Sequence, residues 1–219
     1  MGDSERGDSP SSPRVAIIGA GFCGLVCARA LQRAGVRATV YETPPASDAT
    51  PVCGHCRLPA ASGVLHDLGL VTAHEALRDR RCAVGVYDQA YLPQQPLLLA
   101  LAASLRPGAL VLGRAVERVT RDADGRLCCH LYGQEDSEGP YEVVVLANGL
   151  YPLRTLSVDA SEDVAVAGDA RWAQRRWWDF GSGRIDRGAD TALRDGIELA
   201  RVIRSTPLRG GASVAQRLG

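Results

Sequence analysis

The chain contains no lysine: all 25 of its basic residues are arginine. Imine chemistry on a lysine amine and a lysine general base are therefore excluded. The 25 carboxylates balance the arginines to a formal net charge of zero, which removes any chain-wide attraction for nucleic acid or an anionic membrane. No apolar run approaches the roughly 20 residues that cross a bilayer as a helix. The opening MGDSERGDSPSSP, residues 1–13, is polar and rich in Gly, Ser and Pro. It reads as a disordered leader and not a signal peptide, and it has no Ser or Thr at position six to complete a myristoylation signal. There is no internal repeat and no second glycine fingerprint. Seven cysteines, an odd number without a secretory signal, are expected to be reduced thiols in a cytoplasmic protein, most of them small buried apolar groups.

The 219 residues suit a single domain over 14–205, followed by a flexible tail at 206–219. The domain opens with RVAIIGAGFCGLVCARALQRAGVRATVYE. A short apolar strand, Val15 to Ile18, runs into Gly19, Gly21 and Gly24. Helix-period apolar positions continue through Leu25, Ala28, Leu31 and Ala34, and a second strand, Ala38 to Tyr41, ends on Glu42. Strand, glycine turn, helix, strand and terminal acid together make the dinucleotide-binding fingerprint in its full context. Its glycines permit a tight turn and close backbone approach, the helix N-terminus receives a pyrophosphate, and Glu42 accepts hydrogen bonds from ribose hydroxyls.

Further along, Leu58 to Leu70 reads as an apolar helix, CAVGVYD as a strand and QQPLLLALAASL as a helix. ALVLGRAVERVTRD and RLCCHLYG read as two strands joined by the hairpin signal ADG. YEVVVLANG reads as a strand buried on both faces, and EDVAVAGDA as a last short strand. In the final helix, ADTALRDGIELARVIRS, Leu193, Ile197, Ala200 and Ile203 fall at helical spacing. Cys128 and Cys129 are adjacent on a strand and point to opposite faces, so they are poor partners for each other.

Separated segments in the same order resemble FAD-dependent oxidoreductases with the two-dinucleotide-binding-domain flavoprotein fold, most closely the p-hydroxybenzoate hydroxylase type of aromatic monooxygenase. The segments are the fingerprint of Gly19, Gly21, Gly24 and Glu42, then VVVLANGLYPLR, then VAVAGDA followed by GADTALRDGIELA. The resemblance implies an α/β, Rossmann-like FAD-binding fold, a parallel sheet with helices on one side and a small antiparallel meander near residues 109–132 on the other. It implies FAD as cofactor, with NADPH or NADH as external reductant. Asn148 and Gly149 stand where the family has an Asp-Gly turn. Gly168 and Asp169 stand at the ribityl chain, and the helix beginning near Gly188 and Ala189 points at the flavin pyrimidine edge. GHCRLPAASGVLHDLGL, with Arg57, resembles the loop and helix beside the isoalloxazine.

Departures from the pattern bear on the activity. Arg154 and Asp169 are separated by only fourteen residues, so the substrate-binding sheet that the family inserts there is absent from this stretch. Gln94 stands at the family's arginine before the central helix, and Arg171, Trp172 and Ala173 replace its His and Pro. VVVLANGLYP equally resembles the Ala-Thr-Gly strand of pyridine nucleotide-disulfide oxidoreductases.

Cys53-Gly54-His55-Cys56 has the filling of a thiol-disulfide site but lies outside any thioredoxin-like pattern. In the glutathione-reductase group a redox cysteine pair lies in the corresponding loop and helix start. Cys53 and Cys56 thus read either as a dithiol exchanging electrons with FAD, with His55 as proton partner and Arg57 favouring the thiolate, or as a plain loop. Four-ligand zinc spacing is missing and no metal is expected. Trp172, Trp177, Trp178 and Phe180 either wall a pocket for a planar substrate, or cover apolar surface, or form a dimer contact. The expected activity is a compact FAD-dependent oxidoreductase, monooxygenase- or oxidase-like, on a small planar or aromatic substrate. Its pocket is expected to be completed by a homodimer or a partner protein. A flavin-linked dithiol oxidoreductase and a non-redox FAD protein are the alternatives.

Overall fold

A computed structural model describes residues 13–43, 55–70, 82–83, 90–147, 157–158, 164–166 and 187–205. Residues 1–12 of the expected leader at 1–13, and the expected tail at 206–219, lie outside them. β1 (Arg14–Ile18), α1 (Phe22–Arg33) and β2 (Arg37–Glu42) form the first crossover unit, with β1 and β2 parallel. β10 (Val143–Leu146) pairs with the other side of β1, and β12 (Val164–Val166) lies beyond it. β6 (Leu110–Leu112) closes the far edge beside β2. The sheet order is β12-β10-β1-β2-β6, parallel throughout. Val15–Ile18 of β1 and the whole of β10 are continuous apolar runs because both faces of the sheet are covered.

Side chains alternate between two cores. Val15, Ile17, Val143 and Val145 point into a helical layer, where they meet Leu25 and Ala28 of α1, Val64 and Leu65 of α2 (Leu58–Asp67), Leu97 and Leu101 of α3 (Gln94–Ala103), and Leu193, Leu199, Ala200 and Ile203 of α4 (Arg187–Ser205). Ala16, Ile18, Val144 and Leu146 point the other way, onto Val119, Leu127, Cys129, Leu131 and Tyr141. These last five belong to β7 (Val116–Arg121), β8 (Leu127–Leu131) and β9 (Ser137–Tyr141), an antiparallel meander that β11 (Ser157–Val158) extends by parallel pairing. Each fully buried Leu, Ile or Val contributes about 1.5–3 kcal/mol, so both faces of the sheet hold it in place. The three-layer arrangement is the expected one, with helices on one side and the meander on the other. No described helix is long and apolar enough to cross a membrane.

Two stretches that read as single strands are each divided between sheets. Residues 109–122 split at Gly113, whose φ of 75° turns the chain from β6 in the parallel sheet to β7 in the meander. Arg114 N–H donates to the Glu42 carbonyl at 3.0 Å, tying the turn to the end of β2. Of residues 141–149, Tyr141 ends β9 and Val143–Leu146 form β10, the chain passing from one sheet to the other at Glu142. The Glu142 carboxylate accepts the Arg14 N–H at 2.6 Å, and the Glu142 N–H donates to the Arg14 carbonyl at 3.0 Å. The meander therefore spans 116–141 and not 109–132. Its β7–β8 hairpin is organised by Asp122, whose carboxylate accepts the N–H groups of Asp124 and Arg126 at 2.9 and 2.8 Å. Those donors hold its carboxyl below the usual range.

A separate small sheet, β3-β5-β4, joins β3 (His55–Arg57), β5 (Ala90–Pro93) and β4 (Cys82–Ala83) in antiparallel fashion. Only the first two residues of the CAVGVYD strand, Cys82 and Ala83, lie within the described part.

Candidate dinucleotide site

From β1 the chain crosses to β2 on one side and later returns to β10 on the other, so the strand order reverses at β1. The crevice outside the carboxyl ends of the strands at such a reversal is where open α/β sheets place ligands. The glycine turn lies there. Gly19 has φ of 112°, a conformation that a side chain would strain. Its N–H donates to the Tyr41 carbonyl at 2.8 Å, while the Ala147 N–H donates to the Ile18 carbonyl at 2.8 Å. The turn is thus pinned to both neighbouring strands.

Gly24 and Gly21 do different work. A Cβ on Gly24 would lie 2.0 Å from the Gly19 carbonyl oxygen, so this glycine lets α1 close onto the turn. A Cβ on Gly21 meets nothing within 4 Å, and the residue is extended at φ −73°, ψ −178°. Among the described residues nothing requires glycine at that position, which leaves the backbone open to a group approaching from outside, as a pyrophosphate would. Gly21 is also the N-cap of α1, makes no side-chain cap, and is followed by no acidic residue in the first turn. The first N–H groups of α1 and its partial positive charge are left for an anion. The residues of this turn fit a dinucleotide phosphate.

Glu42, at the end of β2, is not merely nearby: its carboxylate accepts the N–H of Ala20 inside the turn. Sequence spacing placed Glu42 at the ribose end of the site but gave no sign of this bond, which depends on the two parallel strands ending side by side. Next to the turn, burial and the Asp195 carboxylate push the Cys23 thiol up to about 12. Burial, then the neighbouring Cys23, raises Cys27 well above the ordinary thiol range. Cys23, Cys27, Cys128 and Cys129 are free thiols.

α4 packs against α1 and also touches α2 and β3. The structure therefore gathers the glycine turn, the helix carrying Gly188 and Ala189, and the strand carrying His55, Cys56 and Arg57 into one neighbourhood. Gly188 and Ala189 fall in the first turn of α4. Cys56 sits in β3, paired in register with Leu92, and α2 begins only at Leu58, so it is neither in a loop nor at a helix start. Cys53, Asn148, Gly149, Gly168, Asp169, Trp172, Trp177, Trp178 and Phe180 lie outside the described residues. Among the described residues no group of three or more metal-ligating side chains occurs. Gln94 is buried in the first turn of α3.

Sequence reasoning missed Gly196. A Cβ there would lie 2.7 Å from the Cys23 carbonyl oxygen and 2.8 Å from Cβ and Cγ1 of Val26, so α4 crosses the first turn of α1 through this glycine. A glycine inside a helical pattern was the available signal, because it costs helix stability and marks close packing.

Residues 17–90 match the family of NAD(P)-binding Rossmann-like domains. A 76-residue stretch, 35% of the chain, is 40% identical to the 3-amino-4-hydroxybenzoate 2-monooxygenase PtmB3 of Streptomyces platensis, and equally to its counterpart PtnB3 from the same organism. The chain spans 19% of the length of these relatives. Among solved structures, a protein of Photorhabdus luminescens subsp. laumondii TTO1 described as an FAD-containing monooxygenase superposes with a TM-score of 0.52 at 19% identity, over 63% of this chain and 40% of its own. CtdE, crystallised in complex with FAD, superposes with a TM-score of 0.51 at 14% identity, over 65% of this chain and 39% of its own. These similarities establish a fold shared with part of each of those proteins.

Proposed function

We propose, for a chain that carries a Rossmann-like dinucleotide domain in the fold of the FAD monooxygenases, that it binds FAD and serves as an FAD-dependent oxidoreductase of monooxygenase type. The observation that carries this reading is the turn at Gly19–Gly24, where Gly21 is open to an approaching group at an uncapped helix start. The fold around it, which superposes on part of an FAD-containing monooxygenase and of CtdE solved with FAD, supports FAD over a bare nicotinamide nucleotide.

In this proposal the turn and the first N–H groups of α1 hold the pyrophosphate, and Glu42, already drawn to the turn by Ala20, accepts the ribose hydroxyls. Asp169 binds the ribityl chain. The first turn of α4, at Gly188 and Ala189, directs unpaired N–H groups at the pyrimidine edge, where negative charge develops on reduction. Bound FAD supplies two-electron transfer from NADPH or NADH and reaction with dioxygen. The protein's part is to bind, orient and bias that chemistry electrostatically. The substrate is a small planar or aromatic molecule, with Trp172, Trp177, Trp178 and Phe180 as its stacking partners. A second copy of the chain or a partner protein completes the pocket. No observation favours the dithiol alternative.

The test is the visible absorption spectrum of the purified protein before and after denaturation. Oxidised-flavin bands, with FAD in the released fraction, are expected. A colourless protein that also fails to take up added FAD would overturn the reading. Tightly held flavin that no donor reduces would keep the cofactor and remove the enzyme.

A further inference from the structure

We propose that Gly196 is a positioning residue that sets the spacing between the two cofactor-binding helices, and so decides whether the whole of FAD, and not only its adenosine half, is held. This rests on the reading of the chain as an FAD protein. α4 carries a glycine in its interior, where alanine would favour the helix by about 1 kcal/mol. Its reason lies across the interface. The missing Cβ is what lets the α4 backbone settle against the Cys23 carbonyl and the Val26 side chain. Restoring that atom requires the gap to the carbonyl to grow from 2.7 Å to the 3.4 Å at which ordinary contact begins, about 0.7 Å. A backbone oxygen cannot rotate aside as a flexible side chain would.

α1 is the fixed partner in this pair. Its first turn is tied to the sheet through the Gly19 N–H bond to the Tyr41 carbonyl at 2.8 Å and the close approach of Gly24 to Gly19. Displacement therefore falls on α4. Gly196 lies eight residues beyond Gly188, about 12 Å of helix at 1.5 Å per residue, so a shift imposed at the crossing is carried rigidly to the first turn of α4. The phosphate turn, held by α1 and the sheet, does not move with it.

The experiment compares binding of two probes, ADP and FAD, to the full chain and to the Gly196→Ala variant, with urea unfolding followed in parallel. ADP reaches only the glycine turn and Glu42, whereas FAD needs α4 as well. Expected are an ADP affinity within about twofold of the parent and an FAD affinity lower by about tenfold, of the size a sub-ångström misplacement produces. The midpoint potential of bound flavin should also become more negative, because the positive helix end has withdrawn from the reduced ring. A purely structural role would weaken both probes together and leave the potential alone. Should Gly196→Ala not fold, Val26→Ala decides: it removes the Cγ1 methyl that stands 2.8 Å from where a Gly196 Cβ would lie, adds no backbone clash, and FAD should weaken by about threefold with ADP unchanged. Parallel loss of both probes, or loss of neither, overturns the inference and leaves the FAD reading standing. A parent chain that binds ADP but not FAD overturns the FAD reading and the inference with it.

Discussion

Gly21 and Gly24 belong to one motif, yet substitution should separate them. Gly24→Ala sets a Cβ 2.0 Å from a backbone oxygen, so α1 must lift from β1, and both folding stability and nucleotide binding should fall. Gly21→Ala meets no atom of the described residues within 4 Å and keeps an extended φ of −73°, so its urea midpoint should match the parent while nucleotide affinity drops. Calorimetric titration with ADP beside urea unfolding checks the pair, and equal destabilisation by both would sink the assignment of Gly21 to the ligand. The thiols carry a second prediction at this scale. Burial pushes Cys23 and Cys129 up to about 12 from an ordinary 9.0. Below pH 9 they are neutral folded or unfolded. Above it the unfolded chain loses protons that the folded chain keeps, so stability present below pH 9 is lost as pH rises toward 12. The slope is about 1.4 kcal/mol per pH unit for each such thiol. Urea unfolding between pH 8 and 10.5 measures it, and Cys129→Ala should flatten it by one thiol's share.

Between elements, a buried polar pair joins the parallel sheet to the meander. Tyr41 of β2 and Tyr141 of β9 share a hydrogen bond of 2.6 Å, with both side chains buried. Burial, and for Tyr41 also this bond, raises both phenols above their ordinary range. Removing one hydroxyl strands the other, so Tyr41→Phe or Tyr141→Phe should each cost about 1–3 kcal/mol, while the double variant costs much less than their sum. A double-mutant cycle in urea tests this, and strict additivity would show that the bond contributes nothing. The elements themselves were unequally legible. β1, α1 and β2 were read correctly because glycines, helical periodicity and the closing acid are local signals. The divisions at Gly113 and Glu142 were not, because an apolar residue looks the same in a strand of either sheet. Only the partner strand distinguishes them.

For the molecule as a whole, the proposal that a second copy or a partner completes the pocket predicts that turnover per chain rises with protein concentration, or on adding the partner. Sedimentation alongside assay tests it, and constant turnover by a monomer would rule it out. The amino-acid sequence alone determined the glycine turn, the acid that closes it, the helix-bearing crossover and the exclusion of lysine chemistry. These depend on neighbours within a few residues and on side-chain chemistry that no fold alters. Tertiary structure decided which strands share a sheet, that Glu42 binds the turn through Ala20, that Cys56 lies in a strand, and that Gly196 carries one helix across another. Each of these is a contact between residues distant in the chain. The energy of such a contact exists only once packing has brought both partners together.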